Sequence, residues 1–371
     1  VEQIKFGTTT TLSKAEYVQL AVDSQTTSGN DTIWGFNGAN MLSGGLGNDT
    51  LRGRDGSDLY IFNAGDGQDF VTEDDGHLDT DVIQINGYDF EDASFGTVSG
   101  TTDLLITFAG STDSIRVQWG MDWWNEADVE QIKFGATTTL SKAEYVQLAV
   151  DSQATAGNDT IWGFNGANVL SGGLGNDTLR GRDGSDLYIF NAGDGQDFVT
   201  EDDGHLDTDV IQINGYDFED ASFGTVSGTT DLLITFAGST DSIRVQWGMD
   251  WWNEADVEQI KFGTTTTLSK AEYVQLTLDS QATAGNDTIW GFNGANVLAG
   301  GLGNDTMQGR DGSDTYVFAA GDGQDIIEDN GHLDTDILRL EDYLASEVVF
   351  TRQSLNSNTL VVTFEGSADK I

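Results

Sequence analysis

The chain has neither cysteine nor proline among its 371 residues. Without cysteine there is no disulfide framework and no thiolate metal site, so stability has to come from another source. Basic residues are scarce: 16 Lys and Arg face 62 Asp and Glu, giving a formal net charge of −46. Such a surface repels DNA, RNA and anionic lipid, which excludes nucleic acid and membrane as expected partners and leaves cations as the natural counterpart. Long apolar runs are absent too. The stretch from Asp103 to Phe108, DLLITF, is among the longest, far short of the roughly 20 residues that cross a bilayer. No charged and then hydrophobic leader follows Val1.

The residues that are present argue for a fold. Hydrophobic residues make up 37% of the chain and aromatics 10%, with nine Trp, too rich for a solvated acidic tail. The hexapeptide VEQIKF begins at Val1, Val129 and Val257, a period of 128 residues. Residues 1–128 and 129–256 differ at four positions only: Thr8/Ala136, Thr26/Ala154, Ser28/Ala156 and Met41/Val169. The third copy diverges after Met307. Repetition at a fixed period implies an array. The expected organisation is the end of a preceding module at 1–22, modules at 23–150 and 151–278, and a truncated module at 279–371.

A shorter period lies inside each module. Written in nines, the chain reads GFNGANMLS from Gly35, GGLGNDTLR from Gly44 and GRDGSDLYI from Gly53, after a partial GNDTIW at Gly29. Apolar Ile33, Leu42, Leu51 and Tyr60 each follow Asp31, Asn40, Asp49 and Asp58 by two positions. The pattern predicts a tight Gly-rich turn and then a short strand with one apolar side chain pointing inward, two such units making one coil of a parallel roll. Beyond the roll, the segment from Asp103 to Trp119 reads as a hairpin across Gly-Ser-Thr-Asp. Ser141 and Glu144 form a capping-box pair that predicts a short helix over 141–149. The fold class expected is all-β: tandem parallel β-rolls, each followed by a hairpin region and a short helix.

In a two-sided roll, alternate repeats stack on one edge, so Asp31 is expected near Asp49 and Asn40 near Asp58. Adjacent coils stand about 4.8 Å apart, and carboxylates that close repel unless a cation lies between them. Carboxylates and backbone carbonyls, without cysteine and with one His per module, describe a site for a hard cation. Calcium takes about six to eight such oxygens and tolerates irregular geometry.

The GGLGNDTLR unit matches GGxGxDxUx, and in this the chain resembles the RTX (repeats-in-toxin) calcium-binding β-roll family. The segments DLYIFNAGDGQDFV, DTDVIQI and VEQIKFGTTTTLS resemble the haemolysin-type calcium-binding-related region that follows such repeats. The resemblance implies several Ca2+ per module. In the first copy it implies ligation by Asp31, Asp49, Asp58, Asp69 and Asp81, with carbonyls from Gly29, Gly44, Gly45, Gly47, Gly53 and Gly56. The equivalents are Asp159, Asp177, Asp186, Asp197 and Asp209, then Asp287, Asp305, Asp314, Asp325 and Asp336. Asn40, Asn168 and Asn296 stand where the pattern has Asp, so that edge carries a weaker site or is completed by Asp58 and its counterparts. Asp55 and Asp66 fit the turns but not the ligand position.

Other motifs carry less. The aromatic segment at Trp119, WGMDWWNEAD, suggests a saccharide platform, but packing is expected because Trp119 continues the inward side of a strand. Trp34, Trp162 and Trp290 are expected to cap the first coil. His77, His205 and His332 read as turn residues, since a lone imidazole makes no zinc site. No HExxH, GxSxG, P-loop or EF-hand spacing occurs, and a carboxylate-pair hydrolase repeated three times in calcium-type turns would be odd. The expectation is a non-enzymatic, calcium-dependent structural array of a secreted or surface protein, a stalk, layer or filament whose modules pack on their neighbours and self-assemble. The alternatives are the calcium-dependent tail of a secreted toxin or enzyme, passing by type I secretion as the resemblance implies, and a polysaccharide-binding array.

Overall fold

The computed structural model describes residues 1–73, 79–121, 129–201, 207–249, 257–331, 335–354 and 357–371. They form two compact units, one comprising residues 1–155, 159–171 and 181–184, the other 156–158, 172–180 and 185–371. Among the described residues the secondary structure is nearly all β, with three α-helices of ten residues each: Lys14–Asp23, Lys142–Asp151 and Lys270–Asp279. No described helix is long and apolar enough to cross a membrane.

In the first unit the nonapeptides form the expected parallel roll. Strand Thr32–Trp34 pairs with Thr50–Arg52, which pairs with Gln68–Thr72. On the opposite side Met41–Leu42 pairs with Leu59–Asn63 and then with Val82–Asn86. The register aligns Ile33, Leu51 and Val71 on one side and Leu42, Tyr60 and Ile83 on the other. All six are fully buried, because a three-residue strand has one inward side chain and every unit of the repeat places an apolar residue there.

Longer strands extend both sheets. On one side, Ser114–Val117 joins Gln68–Thr72 in parallel and folds back on Leu104–Phe108, which continues to Ala93–Thr97. On the other, Gln131–Phe134 pairs in parallel with Val82–Asn86 and antiparallel with Thr138–Ser141. The QIKF strand of one copy therefore continues the roll built by the copy before it. The predicted hairpin is present, and the helix starts one residue after Ser141 and runs two beyond Ala149. Ser141 and Glu144 make the capping box, and Tyr145, Val146, Ala149 and Val150 are buried.

The second unit repeats these pairings from Thr178–Arg180 to Gln259–Phe262. It adds a further roll in which Thr288–Trp290, Thr306–Gln308 and Ile326–Glu328 form one side. Val297–Ala299, Thr315–Phe318 and Ile337–Leu340 form the other.

Two expectations about tryptophan are corrected. Trp119 does not continue the inward side of its strand: it lies beyond Val117, takes a left-handed φ of 54° and is 41% exposed. Trp34 does not cap the first coil. Its backbone N–H and C=O are met by the Gln25 side-chain amide, and those of Met41 by the Gln19 amide. Two glutamines thus supply the hydrogen bonds of a missing strand at the open edge, as the exposed end of a sheet requires. His77, His205, His332, Trp123 and Trp124 lie outside the described residues.

Candidate calcium centres

The nonapeptide places an Asp at the exit of each turn, immediately before the strand. Its backbone N–H points along the roll toward the next coil, where the following Asp accepts it. Along one edge Asp31 N–H donates to Asp49 Oδ1 at 2.7 Å and Asp49 N–H to Asp69 Oδ1 at 2.9 Å. Along the other, Asn40 N–H donates to Asp58 Oδ1 and Asp58 N–H to Asp81 Oδ1, both at 2.6 Å. Two ladders of stacked carboxylates result, and both expected proximities, Asp31 with Asp49 and Asn40 with Asp58, are present.

The second unit carries the same rungs. Asp177 N–H donates to Asp197 and Asp186 N–H to Asp209. In the third copy Asp287 donates to Asp305 and Asp305 to Asp325, while Asn296 donates to Asp314 and Asp314 to Asp336. Asp159 lies in the first unit, where its carboxylate accepts the Thr155 N–H at 2.6 Å.

Burial makes these carboxylates unstable as bare anions. Asp49, Asp58, Asp69 and Asp81 are each at most 5% exposed. One oxygen serves the ladder, but Oδ2 of Asp49, Asp305 and Asp325 is buried without a hydrogen-bond partner. Burial, reinforced by the charges of Asp49, Asp66 and Asp113, pushes the Asp69 carboxyl up to about 7, against the hydrogen bond from Asp49 N–H. Asp197 is pushed up to about 7 and Asp325 to about 6 in the same way. Asp49 and Asp305 are raised as well, again first by burial.

The glycines fit around the carboxylates. A Cβ on Gly44 would strike the Asp49 carboxylate, and one on Gly53 would strike Asp58, Glu73 and the Tyr60 hydroxyl. Gly47, at φ 137°, lies against the carbonyl of Gly29 in the preceding turn, just as Gly56, at φ 121°, lies against Gly38. Gly45, at φ 78°, completes the bend.

Asn40, Asn168 and Asn296 turn their Oδ1 to the N–H of Phe36, Phe164 and Phe292 at 2.5, 2.5 and 2.7 Å. The Asn296 Nδ2 is buried with no acceptor, so at this rung the amide presents a donor where a carboxylate would present a second oxygen. Asp55 is exposed and accepts from the Asn37 amide, whereas Asp66 is buried and accepts from Asn63 N–H and Nδ2.

Sequence reasoning missed two sets of acidic residues. Glu73 has a carboxylate oxygen within 4.8 Å of those of Asp58 and Asp81; Glu201 stands likewise with Asp186 and Asp209, and Asp329 with Asp314 and Asp336. The Tyr60 hydroxyl donates to Glu73, Tyr188 to Glu201 and Tyr316 to Asp329. Glu130 was missed as well: its carboxylate accepts the Asp81 N–H at 2.6 Å and closes that ladder, as Glu258 does for Asp209. The only signal for Glu130 was the acidic second position of each VEQIKF.

Carboxylate and carbonyl oxygens, buried carboxylate atoms lacking partners, and glycines that leave no room for a side chain fit a hard, oxygen-seeking cation. Fold and site together define a cation-binding parallel β-roll. Residues 25–51, 34–71, 152–179, 162–199, 280–307 and 290–327 match the family described as the RTX calcium-binding nonapeptide repeat. The chain carries RTX calcium-binding repeats in all three copies of its long period. No curated protein matches it. Among solved structures it is similar to an extracellular lipase, LipA, from Serratia marcescens, at 18% identity and a TM-score of 0.25. That likeness covers 60% of this chain and 38% of the lipase chain.

Proposed function

We propose that this chain is a non-catalytic array that folds when calcium is bound, part of a secreted or surface-attached protein in which it acts as a stalk, layer or filament. The observation that carries this reading is the pair of buried carboxylate ladders, whose outer oxygens have no protein donor at Asp49, Asp305 and Asp325. One edge would hold calcium through Asp31, Asp49 and Asp69, the other through Asp58, Glu73 and Asp81, with turn carbonyls beside them. Bound there, the cation neutralises carboxylates that the fold forces together.

The chain's own residues set the dependence. The Gly-rich turns lose much backbone freedom on folding, and a net charge of −46 opposes compaction. A cation that binds only the folded turns adds about 2.7 kcal/mol per site at a hundred times its Kd. Extracellular modules of this kind work near 10⁻⁴–10⁻³ M calcium, so the chain would be unfolded inside a cell and folded outside it. Three near-copies support a role in which length itself matters.

The test is circular dichroism with sedimentation during a calcium titration. Calcium should convert an expanded chain into a compact one rich in β-structure. A chain equally compact in excess chelator at neutral pH rules the reading out.

A further inference from the structure

A second site is built twice. In the first unit a cavity of about 830 Å³ is lined by Thr102, Asp103, Arg116, Trp119, Trp162 and Arg182, among others. In the second, 128 positions on, one of about 730 Å³ is lined by Thr230, Asp231, Arg244, Trp247, Trp290 and Arg310. Both volumes lie in the range of small-ligand sites, about 300–1,000 Å³.

These walls hold most of the chain's strained backbone. Among the described residues, six other than glycine have positive φ: Arg54, Trp119, Arg182, Trp247, Arg310 and Asp342. Four of them line the two cavities, and Arg54 is the first-copy counterpart of Arg182 and Arg310. The arginines occupy the second position of the nonapeptide, where the unit before carries Gly45, Gly173 or Gly301 at nearly the same φ. A glycine would sit there without strain, so an arginine retained at that position points to a use for its side chain.

The charges are arranged selectively. Buried Asp103 holds the rim: its Oδ1 accepts the Trp119 N–H at 2.9 Å and its Oδ2 the Arg116 Nε–H at 2.7 Å. The Arg116 charge is thereby compensated. Arg182 lies 5.2 Å over the Trp162 ring and Arg310 5.9 Å over the Trp290 ring, and neither makes an ion pair among the described residues. In a chain this acidic, each cavity combines an exposed indole, Trp119 or Trp247, with an unpaired guanidinium, and adds Gln118 or Gln246 and threonine hydroxyls.

We propose that each cavity binds a carboxylate-bearing hexopyranose, a uronic acid unit of an acidic polysaccharide. The C–H face of the sugar stacks on the Trp119 or Trp247 indole. The carboxylate pairs with Arg182 or Arg310, and the amide and hydroxyl groups take the ring hydroxyls. This site shares no residue with the calcium ladders, and its ligand is held by stacking and a guanidinium rather than by metal.

The test titrates the calcium-loaded full chain with hyaluronan hexasaccharide, maltohexaose and hexaglutamate in a calorimeter at fixed free calcium. The uronate oligosaccharide should bind, and the neutral one at least about tenfold more weakly, the value of one charge-assisted pair. Trp119→Ala with Trp247→Ala should abolish binding while the calcium midpoint of folding stays put. Arg182→Gly with Arg310→Gly should weaken uronate binding by a similar factor and raise the thermal midpoint, since glycine relieves the left-handed strain. The proposal is overturned if hyaluronan hexasaccharide does not bind, if the double Trp variant still binds it, if the double Arg variant binds it as tightly as the unaltered chain, or if maltohexaose or hexaglutamate binds equally well.

Discussion

Removing calcium should make this fold depend on acid in a direction opposite to that of most proteins. Three buried carboxyls set the effect: Asp69 in the first unit, pushed up to about 7, and Asp197 and Asp325 in the second, pushed up to about 7 and about 6. In an unfolded chain each would titrate near 3.9. A folded value above the unfolded one means that the proton favours the fold. This contribution is complete below about pH 4 and is lost as pH rises through 6 and 7. At 1.36 kcal/mol per unit the loss is on the order of 4 kcal/mol each for Asp69 and Asp197 and about 3 kcal/mol for Asp325. Asp69, Asp197 and Asp325 lie close under the surface of the roll, where solvent screens part of this interaction, so these figures are upper bounds. Folded domains have only about 5–15 kcal/mol in hand, so the chelated array should be compact near pH 5 and expanded at pH 8. Calcium at pH 8 should restore compaction, and its midpoint should move to higher calcium as pH falls and protons compete for the same oxygens. Far-UV circular dichroism and sedimentation in chelator across pH 4–8 measure this directly. Asp69→Asn separates the local effect from the general loss of negative charge, because it should flatten the pH profile of the first unit alone. A chelated chain equally compact at pH 5 and pH 8, or one that unfolds on acidification, refutes the reasoning.

Two substitutions test the geometry further. Gly47→Ala places a Cβ against the Gly29 carbonyl at φ 137°, so it should destabilise the calcium-loaded first unit by roughly 1–3 kcal/mol, read as a lower denaturant midpoint with an unchanged slope. Tyr60→Phe removes the hydroxyl that donates to buried Glu73 and should cost about 1–3 kcal/mol. It should also change the calcium titration, whereas Tyr17→Phe, whose hydroxyl reaches only the exposed Val1 carbonyl, should leave the titration alone.

The residues that sequence reading placed well are those whose partners recur at a short fixed interval. Ile33 and Leu51, or Asp31 and Asp49, meet because 18 residues make one coil, and turn chemistry repeated every nine residues dictates that coil. The hairpin and the capped helix were legible for the same reason, each being specified within a dozen or so residues. Glu73 and Glu130 were not. Glu73 reaches its site across 13 residues to Tyr60, and Glu130 meets Asp81 across 49, separations that no period of the sequence announces. Trp119 was misplaced because strand alternation was carried past Val117, where the chain turns through a left-handed residue fixed by Asp103, 16 positions away.

By itself, then, the sequence determined the roll, its two acidic edges and the need for a cation, since glycine, aspartate and one apolar residue per unit admit few other arrangements. Only the tertiary structure decided which oxygens lie buried together, and that Trp119 and Arg182 open outward as the walls of a second site. Those outcomes depend on contacts between segments far apart in the chain, which local propensity does not encode.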